Sequence, residues 1–172
     1  DRAMFTKANV ALLEQQGYHY IIAAKLKALP QPQQQTLLDE AHYKTTLLKN
    51  ELAWVGEFHY ETSRLIVSYK TKRARKDQRE RQVVIDKIVK TIGAQGHPNK
   101  LVTNAGVKQY VSIDPQAKAQ LDLAKIAKAA QWDGLHGVIT NIPDATPESI
   151  IARYARLWVI EESFRINKHT LK

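Results

Sequence analysis

A chain of 172 residues with 44% hydrophobic residues can build a packed core, so a wholly disordered polypeptide is excluded. Its 26 Lys and Arg against 17 Asp and Glu leave a net charge of +9, which suits a polyanionic partner such as nucleic acid and equally a merely basic soluble protein. The absence of cysteine excludes a disulfide scaffold, a zinc knuckle and thiol catalysis, and no apolar run approaches the ~20 residues of a membrane span. In chain order, apolar residues at helical spacing (Val10, Leu12, Leu13) predict a helix over residues 6–16, with Thr6 as N-cap and Gly17 as stop. Tyr18 to Ala24 reads as a short buried strand. Leu29-Pro30-Gln31-Pro32 and the following glutamines read as a polar linker.

Beyond that break the texture changes. Leu52 to Tyr60 and Arg64 to Tyr69 are rich in aromatic and β-branched residues, and Glu61-Thr62-Ser63 between them completes a predicted β-hairpin. Lys70 to Ile92 reads as a helix, very basic at its start. Leu101 to Ile113 suggests a short strand pair around Asn104-Ala105-Gly106, and Ala117 to Ala130 a helix. Leu135 to Thr140 is an apolar strand introduced by Asp133-Gly134. After a turn, Thr146-Pro147-Glu148 combines an N-cap, a first-position proline and a first-turn acid, so a helix should run from Pro147 to about His169.

That last helix carries the chemistry. Tyr154, Glu161 and Lys168 are spaced by seven, and two helical turns drift only ~20° per heptad, so they share one face. An adjoining stripe of Ile150, Leu157, Ile160, Phe164 and Leu171 should face the core. Glu161 then lies near the buried edge, where a carboxylate is costly unless a cation meets it. A salt bridge would satisfy that need, and so would a metal. Arg165 and Lys168, further along, are well placed for phosphates.

Order and spacing of Asp133-Gly134-Leu135, Thr140-Asn141, Tyr154, Leu157-Trp158, Ile160-Glu161, Phe164-Arg165 and Lys168 resemble the C-terminal signature of insertion-sequence, cut-and-paste DDE transposases. That family has a ribonuclease-H-like catalytic domain and the motif Y-x2-R-x3-E-x6-K, whose Glu is the last of three metal-binding carboxylates. Tyr, Glu and Lys fall at Tyr154, Glu161 and Lys168, whereas Leu157 stands at the Arg position. Asp1-Arg2-Ala3-Met4, followed by a helix and a Tyr-Ile-Ile strand, is similar to the motif of the second catalytic Asp. The resemblance covers Asp1 to Leu26 and Trp132 to Lys172, and the middle through the R-L-I-V-S-Y and K-R-A-R-K-D segments.

The resemblance implies an α/β fold: the C-terminal part of a ribonuclease-H-like domain, interrupted by a β-rich α+β insertion, with its N-terminal strands missing. Residues 1–29 and 131–172 would belong to the core and 30–130 to the insertion. Asp1 and Glu161 would be catalytic and hold two magnesium (or manganese) ions together with an upstream Asp. Tyr154 and Lys168 would hold DNA phosphates beside the cut. The partners implied are transposon ends and target DNA, bound by a homodimer in the bacterial cytoplasm and nucleoid. Both ends of the chain read as cut, so it is expected to be a fragment that does not cleave DNA alone.

Lys70, Lys72, Arg73, Arg75, Lys76, Arg79 and Arg81 crowd one stretch, interrupted only by Asp77 and Glu80. This crowding favours DNA backbone contact, through Lys72, Arg73 and Lys76 above all, over a solvated helix face. Core packing is the expected place of Trp54, Trp132 and Trp158. Relatives hold a flipped base against an aromatic on the strand before the late helix, and His136 is nearest that place. The six histidines show no metal-ligand spacing. A nuclease keeping the same cluster, or a domesticated DNA-binding protein, are the competing readings.

Overall fold

The computed structural model describes residues 7–93, 104–115 and 118–156. Its contacts divide the chain into two compact units: described residues up to 70 with those from 136 onward, and residues 71–135.

The first unit is mixed α/β around a five-stranded sheet. Helix α1 (Lys7–Gln15) ends at Gly17, whose φ of +72° lets the backbone turn back. There Gly17 N–H donates to the Glu14 carbonyl and Tyr18 N–H to that of Leu13, so two last-turn carbonyls are satisfied. Strand β1 (Ile21–Ala23) follows, then α2 (Gln31–Leu38), β2 (Lys44–Leu48), β3 (Glu51–Tyr60) and β4 (Ser63–Tyr69). After the second unit come β7 (Leu135–Thr140) and a helical stretch over residues 147–156. The strand order is β1-β7-β4-β3-β2. Pairing is antiparallel between β1 and β7, β3 and β4, and β2 and β3.

Position in the sheet explains the strand sequences. β4 is central, and its Leu65-Ile66-Val67 run is buried throughout instead of alternating with polar residues. Leu48, Ala53, Val55, Ile66 and Val138 form one core cluster, closed by Ile150 from the 147–156 helix at 0% exposure. Leu26 lies over Gly137, where an added Cβ would stand 2.5 Å from Leu26 Cδ2. Tyr20 is buried as well. Its hydroxyl donates to Glu14 Oε1 and shares a hydrogen bond with Ser63 Oγ, each 2.7 Å away, and burial pushes its pKa up to about 12.

Two expectations for this unit change. The proline-marked linker is helical over Gln31–Leu38, because Pro32 sits in the first turn, where its missing N–H leaves no intrahelical bond unmade, and Leu37 is buried. Strand β2 also joins the predicted hairpin through a two-residue turn, Lys49-Asn50, with φ of +53° and +61°.

The second unit holds the long helix α3 (Thr71–Gly93), the short α4 (Ala105–Lys108), a hairpin of β5 (Val111–Ile113) with β6 (Ala119–Leu121), and α5 (Leu123–Ala130). Its core is Ile88, Tyr110 and Val111, with Val84, Ile126 and Leu121 packed against them. Asn104 does not turn a strand pair: its Oδ1 accepts from Gly106 N–H and caps α4. The helix expected from Ala117 starts only at Leu123. Residues 119–121 pair with β5 instead, and Asp122 caps α5 by accepting from Lys125 N–H, which holds its carboxyl below the usual range. Trp132 is buried here, whereas Trp54 in the first unit packs edge-on against Tyr69 at 5.5 Å.

Candidate functional site

Residues 147–156 are the described part of the predicted chemistry-bearing helix, and the six residues before them belong to no helix or strand. Side chains fix that loop at both ends. The fully buried Thr140 donates through Oγ1 to the Tyr20 carbonyl at 2.7 Å and accepts from Ile142 N–H at 3.2 Å. Asn141 accepts from Tyr20 N–H and donates to the Tyr18 carbonyl. The Thr-Asn pair thus ties the end of β7 to the stretch leading into β1. Thr146 Oγ1 accepts from Ser149 N–H at 3.2 Å, the expected N-cap, and Ile150 N–H donates to the Thr146 carbonyl.

Arg64, at the start of β4, reaches the same loop. Its Nη1 lies 2.7 Å from the Ile142 carbonyl oxygen, 3.1 Å from that of Pro143 and 2.9 Å from that of Ala145. Its Nε donates to Glu57 Oε1 at 2.5 Å. That hydrogen bond holds the Glu57 carboxyl below the usual range, against the opposing effect of burial, and raises the affinity of the guanidinium for its proton. No reading of the sequence singled out either residue. The signals for Arg64 were a cation at the head of a largely apolar strand and its place in the R-L-I-V-S-Y segment.

Tyr154 comes one helical turn after Ile150. It is half-buried against the core cluster, and its ring lies 5.2 Å from that of His136 on β7, tilted by 40°. Arg153 and Arg156, on the same helix, are exposed. Asp1, Glu161, Arg165 and Lys168 lie outside the described residues, as do Leu157 and Trp158.

The second unit carries most of the charge excess. Residues 71–135 hold thirteen Lys and Arg against six Asp and Glu, a net +7 of the chain's +9. On α3 the less exposed positions (Ala74, Asp77, Arg81, Val84, Ile88) recur at helical spacing, so Lys72, Arg75, Lys76 and Arg79 point outward. Arg73 lies 3.8 Å from Asp77 and Lys76 3.7 Å from Glu80, both as i,i+4 pairs. Lys72, Arg75 and Arg79 make no ion pair with the described residues. Arg81 is no part of that outer row: Nη1 and Nη2 grip Asp133 Oδ1 and Oδ2 at 2.5 and 2.6 Å. Gly134 N–H donates to Asp77, and Gly134 has a φ of +82°. The Asp-Gly pair before β7 therefore has a local structural role within this unit.

The described residues thus comprise a mixed α/β unit, whose 147–156 helix follows a clamped loop, and a second unit whose sequence carries a net charge of +7. The family model of the transposase DDE domain matches residues 1–172, and the chain belongs to that family. No curated protein and no solved structure matches it. Transposases act on DNA, and DDE transposases use divalent metal ions. Among the described residues, no three His, Asp or Glu side chains cluster as a metal cage. No described helix is long and apolar enough to cross a membrane.

Proposed function

We propose that this chain is part of the catalytic region of a transposase that cleaves DNA at transposon ends and transfers the freed strands to a target. The observation that carries this reading is the family match over all 172 residues, together with the spacing of Tyr154, Glu161 and Lys168. In it, residues 1–29 and 131–172 form the later part of a ribonuclease-H-like core whose first strands lie upstream, and 30–130 form the insertion. Asp1 and Glu161 offer the hard carboxylate oxygens that magnesium or manganese takes, and an upstream Asp completes the cage. Two such ions, when bound, would activate the attacking oxygen and stabilise the leaving one. The chain's own polar residues position DNA: Tyr154 as a phenol donor, Lys168 and Arg165 as cations, all directed at phosphates. Two copies would pair two ends, in the cytoplasm and on the nucleoid.

Incubation of the full-length protein with a labelled transposon end and target DNA tests the reaction. Covalent transfer of the labelled 3′ end into target is the expected result. Cutting without transfer would make the protein a nuclease, and binding with neither would make it a DNA-binding derivative.

Lys72, Arg73 and Lys76 would meet the DNA backbone, and the concentration of charge in residues 71–135 supports this. Each phosphate neutralised contributes about 0.9 to the slope of log K against log salt. Changing all three to Gln should therefore lower that slope by about two to three. An unchanged slope and affinity would reduce the helix to solvated surface.

A further inference from the structure

We infer that Arg64 is a positioning residue for DNA cleavage: by fixing the loop at residues 142–145 it sets where, and in what rotational phase, the Tyr154 helix begins. The inference rests on the transposase reading for its catalytic consequence, but its physical basis is independent of that reading. Arg64 stands on the central strand and is itself only 21% exposed. The two N–H groups of Nη1 are shared among the carbonyls of Ile142, Pro143 and Ala145, while Nε–H donates to Glu57 on β3. His59 and Ile66 are the direct cross-strand partners of Arg64 and Glu57, so the ion pair runs diagonally across the β3–β4 ladder. Both of its ends are therefore set by the sheet.

The planar fork is what makes this possible. Arginine presents five N–H donors in a fixed plane, so it can serve a carboxylate and several carbonyls at once, whereas a lysine ammonium acts from a single point. Residues 141–146 have no ladder of their own, and carbonyls in such a loop need partners from outside it. The helix turns by about 100° per residue, so a loop that slips by one residue rotates every later side chain off its target. Ile150, completely buried, holds the helix to the core, and Ile151 and Tyr154 pack against the same cluster. Arg64 and Thr146 fix where that helix starts. Tyr154 lies one turn after Ile150, and Glu161 is seven residues further along the sequence.

The test uses the full-length protein and two readouts. In Arg64→Ala, backbone amides of residues 149–154 should exchange with solvent faster, while those of β3 and β4 keep their protection. Cleavage should fall by about a hundredfold, as expected for reacting groups displaced by an ångström. End affinity should fall much less than cleavage, because the phosphate contacts assigned to α3 do not depend on this helix, whereas those assigned to Tyr154, Arg165 and Lys168 do. Arg64→Lys should lie between Ala and parent in both readouts. If Arg64→Ala does not fold, the Lys variant and Glu57→Gln, which loosens the guanidinium from the sheet, carry the same comparison. Unchanged exchange at residues 149–154, or faster exchange spread evenly over the sheet, overturns the inference. A parent that does not cleave overturns the transposase reading and the catalytic consequence with it, while exchange still decides whether Arg64 holds the helix.

Discussion

Replacing Glu161 by Gln in the full-length protein should lower DNA cleavage by more than about a thousandfold, equivalent to about 4 kcal/mol of lost transition-state stabilisation. Transposon-end binding should persist. The amide keeps the size and shape of the side chain and removes its charge, so it weakens a cage of hard oxygen ligands for a divalent cation. In the proposed function, end affinity depends instead on phosphate contacts by Tyr154, Arg165, Lys168 and the basic helix α3. Cleavage and gel-shift titrations on one preparation separate the two effects. Comparable cleavage by mutant and parent would remove Glu161 from the catalytic set, and an equal loss of binding would make it structural.

The sequence carried local signals well where one residue decides one backbone feature. Gly17 as a helix stop, Thr146 as an N-cap and the buried Ile150 were all legible, because capping and periodicity act over a few residues. Lys49-Asn50 was missed because the usual turn signal is a glycine, and here Lys and Asn both take positive φ. The helix at Gln31–Leu38 was missed because prolines read as breakers, although the first turn tolerates them.

Long-range partners were not legible at all. Arg64 meets residues some eighty positions away, and Thr140 and Asn141 meet Tyr20 and Tyr18 more than a hundred away. A motif such as Thr-Asn can be seen as a pattern, but its reason appears only when two distant strands are brought together. The proposed metal-binding pair, Asp1 and Glu161, rests on the sequence motif, since both residues lie outside the described segments.

Arg81 illustrates the same gap, and it carries the largest stability effect expected in the second unit. By composition it belonged to a row of cations facing DNA. In the fold it grips Asp133 in a bidentate pair, with side-chain exposures of only 11% and 18%. The hydrogen bond to Asp133 raises its affinity for the proton, and burial opposes that shift. Arg81→Met would leave a largely buried carboxylate without its cation, a loss of about 3 kcal/mol or more. Arg81→Met with Asp133→Leu should cost less than the sum of the single changes, because no charge is then stranded. Urea unfolding followed by exchange at α3 amides measures both. DNA binding provides the discriminating control: since Arg81 faces inward, its loss should leave the salt slope of binding unchanged, unlike the loss of Lys72 and Lys76. A parent-like unfolding midpoint combined with a shallower salt slope would return Arg81 to the DNA-facing row and make the Asp133 pair incidental.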